Sequence, residues 1–469
     1  MQKQSGQTQP EKGPKSGRRD FLKQSSLGAV GALLATSAMN VPHVHAAENN
    51  TLNVAIVGCG GRGMGAIRQA LNADTNLKLR AVADVFPDKA LGAVDSLSTD
   101  FTTQNKGHMI DVPKERTFDG FEAYKGAMDA LSPGDVVVLT TPPAFRPLHF
   151  AYAVEKGLNV FAEKPVAVDV PGLLSLRASN EKAKAKGLKV GVGLNNRHNL
   201  RTAETVKAIQ DGGLGELYSF LVYRCHSAHS LGNRGNRTPL QHQLRKIFNY
   251  NWLTGSFIVD ALIHNLDICC WANQKLPVSA MGIGGRLFRR DQDDLIDNAN
   301  VQYMFDDGKL MHMYTVTMDN TWTGFRAVIH GAKGSAWVGE GVGDPRFYRD
   351  WKFDGQNPNG SNVFWKPQSG DSDSYQLEHN ALFKAIRDNA DWNEMDRGID
   401  ATFTAIMGRM AIETGNPVSA EEAWKSTFQY APNLANLKLD GDSPVMPDAE
   451  GNYRVAKPGK ATLNNPYQT

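Results

Sequence analysis

A short apolar run ends directly in a glycine-rich turn, and this junction constrains the fold more than any other part of the sequence. Residues 52–57 read Leu-Asn-Val-Ala-Ile-Val, and the next six read Gly-Cys-Gly-Gly-Arg-Gly. The glycines at Gly58, Gly60 and Gly63 match the GxGxxG pattern that joins a strand to a helix in dinucleotide-binding domains. The first permits a tight turn, the second lets backbone approach a pyrophosphate, and the third lets helix pack on strand.

An acidic residue stands where such a domain would bind a ribose. A second predicted strand, residues 77–83, leads into Asp84 about twenty residues beyond the turn. A carboxylate there accepts hydrogen bonds from ribose hydroxyls and repels a 2′-phosphate, and Val85 and Phe86 offer no positive charge to neutralise one. The pattern therefore favours NAD over NADP. The cofactor contacts predicted from this region are Gly58, Gly60, Gly61, Arg62, Gly63 and Asp84.

Strands and helices continue to alternate up to about residue 195. We predict buried strands at 135–139, 159–162 and 188–193, with a helix at 148–156. This order predicts a Rossmann domain over residues 51–195, whose ligands bind outside the carboxyl ends of the strands.

The remainder of the chain has a different pattern. Several strand-like segments follow, from 217–224 to 335–338, with Asp307-Gly308 as a hairpin turn, and helices are expected at 375–389 and 402–415. We therefore predict an α+β domain over residues 196–430. Residues 431–469 are rich in Pro, Asn, Asp and Gly, which is typical of an irregular tail.

The first 46 residues resemble an export signal. A polar stretch precedes Arg18-Arg19-Asp20-Phe21-Leu22-Lys23, an apolar run follows, and Val44-His45-Ala46 offers a cleavage site. The paired arginines resemble the twin-arginine signal. We expect export by that route to the periplasm. The apolar run is shorter than the roughly 20 residues of a membrane span, so we expect no integral membrane segment in the mature protein.

Charge and composition restrict the partner. Lysine plus arginine number 51 and aspartate plus glutamate 49, so the balance favours neither nucleic acid nor an anionic membrane. The four cysteines show no disulfide or CxxC pattern. His226, His229 and His242 have no cysteine or carboxylate at ligand spacing, so no metal is expected. We predict a small molecule as the ligand.

At Glu163-Lys164-Pro165 the sequence resembles the Gfo/Idh/MocA oxidoreductases, and the likeness extends from about residue 51 to residue 429. A second matching segment carries Asp260 and His264 at the spacing of the family, although Ser256 and Asn265 depart from its frequent residues. The resemblance implies a second domain with a large open, mainly antiparallel sheet and a homo-oligomer. It also implies an NAD(P)-dependent oxidoreductase of a sugar or polyol. Its implied cofactor contacts are Thr140, Pro142, His149, Glu163 and Lys164.

The chemistry of the same residues supports this activity independently of the family resemblance. Oxidation of an alcohol needs a hydride acceptor and a group that takes the hydroxyl proton, and Lys164 and His264 can both handle that proton. On a helix Asp260 and His264 would share one face, where the carboxylate could orient the imidazole. These three are the predicted catalytic residues. With Arg197, which follows the last Rossmann strand, they are also the predicted substrate contacts.

Three functions remain open from the sequence. The first is a sugar or polyol dehydrogenase. The second is a glycoside-cleaving enzyme that oxidises the sugar transiently and regenerates its own NAD. The third, a ligand-binding module without activity, is disfavoured because Lys164, Asp260 and His264 are all present.

Overall fold

The computed structural model of the protein describes residues 51–288, 293–339, 345–350 and 362–468. The predicted export signal, residues 1–46, lies outside the described residues.

A six-stranded parallel sheet forms the first part of the described chain. Its strands are β1 (Leu52–Val57), β2 (Leu77–Asp84), β3 (Thr117–Asp119), β4 (Val136–Leu139), β5 (Asn159–Ala162) and β6 (Val190–Val192). The central strands are apolar along their length because both faces are covered. Val54 and Ile56 of β1 pack into one apolar cluster, and Ala55 and Val57 pack into another.

The order β3-β2-β1-β4-β5-β6 is that of a Rossmann fold. The helices between the strands are α1 (Gly61–Asn72), α2 (Pro87–Thr103), α3 (Ala123–Asp129), α4 (Arg146–Glu155) and α5 (Val170–Ala185). The strand order reverses between β1 and β4, so the crevice at their carboxyl ends is where a nucleotide is expected.

The second sheet has nine strands in the order β14-β13-β12-β11-β7-β10-β9-β8-β15. They are β7 (Leu217–His226), β8 (Ser279–Gly285), β9 (Asn298–Met304), β10 (Leu310–Thr317), β11 (Gly324–Gly331), β12 (Gly334–Val338), β13 (Arg346–Tyr348), β14 (Val363–Trp365) and β15 (Val418–Ser419). Neighbours pair antiparallel, except that β7 and β10 run parallel. The predicted fold class is confirmed: a Rossmann domain precedes a large, mainly antiparallel sheet.

One face of this sheet is covered and the other is open. The helices of the second part are α6 (Leu200–Gln210), α7 (Pro239–Arg245), α8 (Asn251–Thr254), α9 (Ile263–Asn273), α10 (Ser374–Arg387), α11 (Met395–Thr414) and α12 (Ala420–Trp424). Along β10, Met311 and Met313 are fully buried, whereas Tyr314 is exposed. Met281 and Ile283 of β8 are exposed as well. The open face is thus partly apolar.

Helix α11 joins the two sheets. It packs on α5 of the Rossmann domain and on β8 and β9 of the second sheet. Two glycines allow the approach: a Cβ at Gly398 would lie 3.0 Å from Val192, and a Cβ at Gly408 would overlap the hydroxyl of Tyr303. This close packing fixes the carboxyl edge of the first sheet relative to the second domain.

The four cysteines lie inside the protein. Cys59, Cys225, Cys269 and Cys270 are all buried and free.

Among the described residues, the helical stretch Asn251–Asn273 is long and apolar enough to cross a membrane by length and composition. Its apolar window is 89% buried inside the protein.

The Gly408 contact predicts opposite effects for two glycine-to-alanine changes. Gly408→Ala should lower the free energy of unfolding by about 1–3 kcal/mol, because the new methyl group overlaps Tyr303. Gly92→Ala, in an exposed part of α2 with no atom within 4 Å of the new Cβ, should raise it by about 0.5–1 kcal/mol. Denaturant unfolding of both variants checks this. Equal stability of the two would contradict the packing described for α11.

Candidate active site

The glycine turn has the geometry that a dinucleotide needs. Gly58 has a φ of +100°, and a Cβ there would lie 2.7 Å from the backbone nitrogen of Thr141. A Cβ at Gly63 would overlap the carbonyl oxygen of Gly58. At Gly60 and Gly61, by contrast, a Cβ would meet no atom within 4 Å. Two glycines therefore allow close packing inside the turn, and two leave open space above it.

The N-terminus of α1 faces this space. Its N-cap is Gly60, which makes no side-chain capping hydrogen bond. The first N–H groups of the helix are thus free of side-chain caps, and the positive end of the helix dipole favours an anion. This arrangement fits the pyrophosphate of NAD.

A cavity of about 650 Å³ opens beside the turn. Seven of the predicted cofactor residues line it: Gly58, Gly60, Gly61, Asp84, Thr140, Pro142 and His149. Thr140 also holds the turn, because its hydroxyl donates to the carbonyl oxygen of Gly58 at 2.6 Å. The remaining four, Arg62, Gly63, Glu163 and Lys164, do not line this cavity.

Asp84 is positioned by the backbone on both sides of it. Its carboxylate accepts from the N–H of Cys59 at 2.7 Å and from the N–H of Phe86 at 2.9 Å. Burial raises the pKa of Asp84, while these two N–H groups and the charge of Lys89 favour its ionised form. Each carboxylate oxygen has a second lone pair, so the group can also accept from a ribose.

His149 is a neutral part of the cavity wall. Its Nδ1 lies 3.1 Å from the hydroxyl of Thr141, and its ring stacks on Tyr124 with centroids 4.3 Å apart. Burial, aided by the charge of Arg146, lowers the pKa of His149 to about 3. The ring therefore offers hydrogen bonding and stacking without charge.

Glu163 and Arg62 form an ion pair next to the turn. Arg62 Nε lies 2.9 Å from Glu163 Oε1, and the guanidinium lies over the ring of Tyr375, 4.5 Å from its centroid. Burial raises the pKa of Glu163, and the charge of Arg62 opposes that shift. Glu163 Oε2 also accepts from the backbone N–H of Lys164 at 3.1 Å, which ties the motif to the end of β5.

The side chain of Lys164, in the Rossmann domain, contacts a residue of the second domain. Its Nζ donates to the backbone oxygen of Asp260 at 2.7 Å and lies 3.6 Å from Asp260 Oδ1. The side chains of Lys164 and Asp260 are both 19% exposed, so a bound small molecule can contact them.

His264 lies near this pair as a neutral ring. It is buried, and its Nδ1 has no hydrogen-bond partner. Burial lowers the pKa of His264 well below its usual range, and the charges of Lys164 and Arg224 lower it further. The imidazole is therefore neutral.

The expected partnership between Asp260 and His264 is not what the structure has. Residues Ile258–Leu262 form a π-helical turn, which is wider than the α-helical turn assumed from the spacing. The side-chain contact of Asp260 is with Lys164 instead. Asp260 therefore positions the lysine rather than the imidazole.

Arg197 is bound by an acidic residue of the second domain. It makes a bidentate ion pair with Asp267, with both N–O distances at 2.7 Å, and lies over the ring of Trp271. It lines a cavity of about 400 Å³ whose lining includes none of Lys164, Asp260 and His264. Its role toward substrate therefore stays a prediction.

Several residues of the cavity wall were not predicted as cofactor contacts. They come from distant parts of the chain and form an aromatic and basic wall: Phe86, Lys89, Phe121, Tyr124, Phe145, His229, Arg245, Lys246 and Phe248. Within the described residues, no group of three His, Cys, Asp or Glu side chains could hold a metal ion.

Comparison with known proteins assigns both parts of the chain to one family. Residues 52–194 match the oxidoreductase family with an NAD-binding Rossmann fold, and residues 202–337 match the C-terminal domain of the same family. The chain belongs to the Gfo/Idh/MocA family. The cofactor of its Rossmann domain is NAD, in agreement with the turn, the helix N-terminus and Asp84.

Named relatives within the Gfo/Idh/MocA family include dehydrogenases. Inositol 2-dehydrogenase of Ralstonia nicotianae is 26% identical over 251 residues, which is 53% of this chain and 62% of that protein. The match thus spans less than two thirds of that relative. A glycosyl hydrolase family 109 protein of Shewanella pealeana is 29% identical over 171 residues, 33% of this chain and 35% of that protein.

A solved structure shares the fold. Scyllo-inositol dehydrogenase from Lactobacillus casei, crystallised with NAD(H) and scyllo-inositol, has a TM-score of 0.56 and 17% sequence identity. The match covers 79% of this chain and 100% of that chain. At this identity the likeness concerns the fold.

The position of Asp84 predicts its effect on nucleotide choice. Asp84→Ala should weaken NAD binding by about tenfold or more, because hydrogen bonds to a charged group are lost. It should also relax the preference against NADP, since the repulsive charge is removed. Calorimetric titration with both nucleotides measures this. Asp95→Ala, an exposed change on α2, is the matched control, and unchanged affinities in Asp84→Ala would refute the ribose assignment.

Proposed function

We propose that the protein is an NAD-dependent oxidoreductase that oxidises a hydroxyl carbon of a sugar or polyol, with Lys164 and His264 handling the proton. The observation that carries the proposal is the Lys164 ammonium, held on the backbone oxygen of Asp260 next to a neutral buried His264. Lys164 follows the carboxyl end of β5, at the same sheet edge as the NAD site, and His264 lies in α9 of the second domain.

The two side chains have complementary tasks. NAD, when bound, supplies the hydride acceptor. His264 is neutral and can take the proton of the substrate hydroxyl. The Lys164 ammonium can donate a hydrogen bond to the same oxygen as negative charge develops there. Asp260 keeps the ammonium in place, and is a positioning residue in this scheme.

The relatives support a polyol or sugar as substrate. The names of two of them refer to inositol dehydrogenases, and a cyclic polyol presents the secondary hydroxyl that this chemistry requires. A homo-oligomer is also proposed, supported by the exposed side chains of Met281, Ile283 and Tyr314 on the open face of the second sheet.

A second candidate is a glycoside-cleaving enzyme that oxidises the sugar transiently and returns the hydride at the end of each cycle. The match to a glycosyl hydrolase family 109 protein favours it, although the match covers a third of the chain. Mass spectrometry of products from a panel of glycosides separates the two functions. A free, unoxidised sugar supports cleavage, and a keto-sugar supports dehydrogenation.

Removal of either proton-handling group should slow turnover. We expect Lys164→Ala and His264→Ala each to lower kcat by about 10²-fold or more, with nucleotide binding largely kept, because proton transfer or substrate positioning is lost. Steady-state kinetics and nucleotide titration measure the two effects. Lys207→Ala on α6 and His312→Ala on β10 are matched controls outside the site. Near-normal turnover in both Lys164→Ala and His264→Ala would sink the assignment.

We also propose that the protein is exported by the twin-arginine route, works in the periplasm, and carries its NAD with it. Twin-arginine substrates fold before they cross the membrane, so the cofactor can be acquired in the cytosol. The compartment outside has no evident pool of free nicotinamide nucleotide. A captive cofactor must be returned to its starting redox state in each cycle. This favours the cleaving reaction, or a dehydrogenase that passes the hydride on to a second sugar, over one that releases NADH.

Captive NAD has a direct test. Protein purified from the exported fraction should release about one equivalent of NAD on denaturation, without any having been added. Retention through repeated dilution implies a Kd well below micromolar, or more than about 8 kcal/mol of binding free energy. Assay of the supernatant for nucleotide checks this. A protein that emerges empty and turns over only with stoichiometric added NAD would refute captivity and leave the dehydrogenase standing.

A further inference from the structure

We propose that the C-terminal tail, residues 431–468, is a latch that holds a roof segment, residues 239–249, closed over the NAD cavity. The roof segment consists of α7 and the short 3-10 turn Ile247–Asn249 that follows it. The inference rests on the proposal that NAD stays with the protein, and it assigns that retention to particular residues.

The roof segment forms one wall of the cavity. Leu244, Arg245, Lys246, Ile247 and Phe248 line it, while the glycine turn and Asp84 line it from the Rossmann domain. A nucleotide on the glycine turn therefore lies between the two walls. Movement of the roof segment away from the Rossmann domain would remove one of these walls and speed release of the nucleotide.

The roof segment touches the Rossmann domain directly at one corner. Arg245 donates to Asp88 Oδ1 at 2.8 Å, and its guanidinium lies 3.9 Å from the ring centroid of Phe86. Both partners stand at the start of α2, next to Asp84. The carboxylate of Asp88 is largely exposed, and exposed ion pairs contribute little. This corner alone would not keep the cavity closed.

The stronger restraint is a buried amide on the roof segment. Gln243 is fully buried. Its Nε2 donates to the backbone oxygen of Val445 and to the hydroxyl of Tyr453, both at 2.9 Å. Its Oε1 accepts from Trp252 Nε1 at 2.6 Å and from the hydroxyl of Ser443. An amide has two donor hydrogens and two acceptor lone pairs, so Gln243 is fully satisfied.

Three of these four bonds go to the tail. Opening the roof segment would leave several buried polar groups without partners, which costs more than breaking an exposed ion pair. Apolar contacts add to the restraint, because one cluster contains Phe86 of the Rossmann domain, Leu240 and Leu244 of the roof segment, and Val445 and Tyr453 of the tail. The tail therefore stabilises the closed position of the roof segment.

The test measures how fast the cofactor leaves. Protein loaded with NADH is mixed with excess NAD, and the loss of bound NADH fluorescence gives the dissociation rate. We expect Tyr453→Phe and Ser443→Ala each to raise this rate by about threefold to tenfold, the factor for one lost net hydrogen bond. Tyr152→Phe, which loses a hydrogen bond of 2.8 Å to Asp129 on the surface, is the matched control and should keep the wild-type rate.

A second contact of the roof segment gives an independent test. Arg245→Ala, which removes the contact with Asp88, should also speed release, and its effect on the logarithm of the rate should add to that of Tyr453→Phe, because the two contacts share no partner and both stabilise the closed position. The thermal unfolding midpoints of the two single variants check that they still fold.

The outcomes distinguish this inference from the proposed function. Unchanged release in folded Tyr453→Phe and Ser443→Ala would overturn the latch. Free release of NADH by the wild-type protein, with still faster release by the variants, would leave the latch standing and refute captivity. Failure of the wild-type protein to bind NADH would overturn the proposed function and the latch together.

Discussion

The hydrogen bond from Lys164 to the backbone oxygen of Asp260 is the contact on which the site depends. Because the acceptor is a main-chain atom, the place of the ammonium is set by the path of the π-helical turn and not by a rotatable side chain. The same ammonium is one cause of the lowered pKa of His264. Burial is the larger cause of that shift, so docking of the two domains lowers the pKa of His264 both by covering the ring and by placing the ammonium near it. Helix α11, with Gly398 and Gly408 at its closest contacts, keeps them docked.

Much of the first domain follows from local sequence. Strands β1 and β5 have the predicted bounds, because runs that are apolar on both faces leave little choice of register. Short strands such as β3 and β14 were not predicted, since three half-exposed residues give no pattern to detect. Helix α11 begins at Met395 and not at 402, because its polar first turn reads as a loop while tertiary packing makes it helical.

The residues of the candidate site also differ in how far the sequence predicts them. Gly58 and Asp84 were predictable from the sequence, since each stands at the end of a strand and such ends meet at one edge of a parallel sheet, and Thr140 was implied by the family resemblance. The roof segment was harder to predict, because nothing in its local sequence indicates which of its residues contact a cavity built from a distant part of the chain. The predicted contact between Asp260 and His264 is absent for a different reason, because residue spacing alone does not distinguish a π-helical turn from an α-helical turn. Arg197 was selected by position alone, and Asp267 binds it.

The four buried cysteines have a consequence for where the chain can work. Burial raises the pKa values of Cys59, Cys225, Cys269 and Cys270. The thiolate is the reactive form in oxidation and in disulfide exchange, so all four are chemically quiet. Once folded, such a chain has no exposed thiol that needs a reducing pool to protect it. Its cysteines therefore tolerate reducing and oxidising surroundings alike, and passage between two such compartments leaves its covalent structure unchanged.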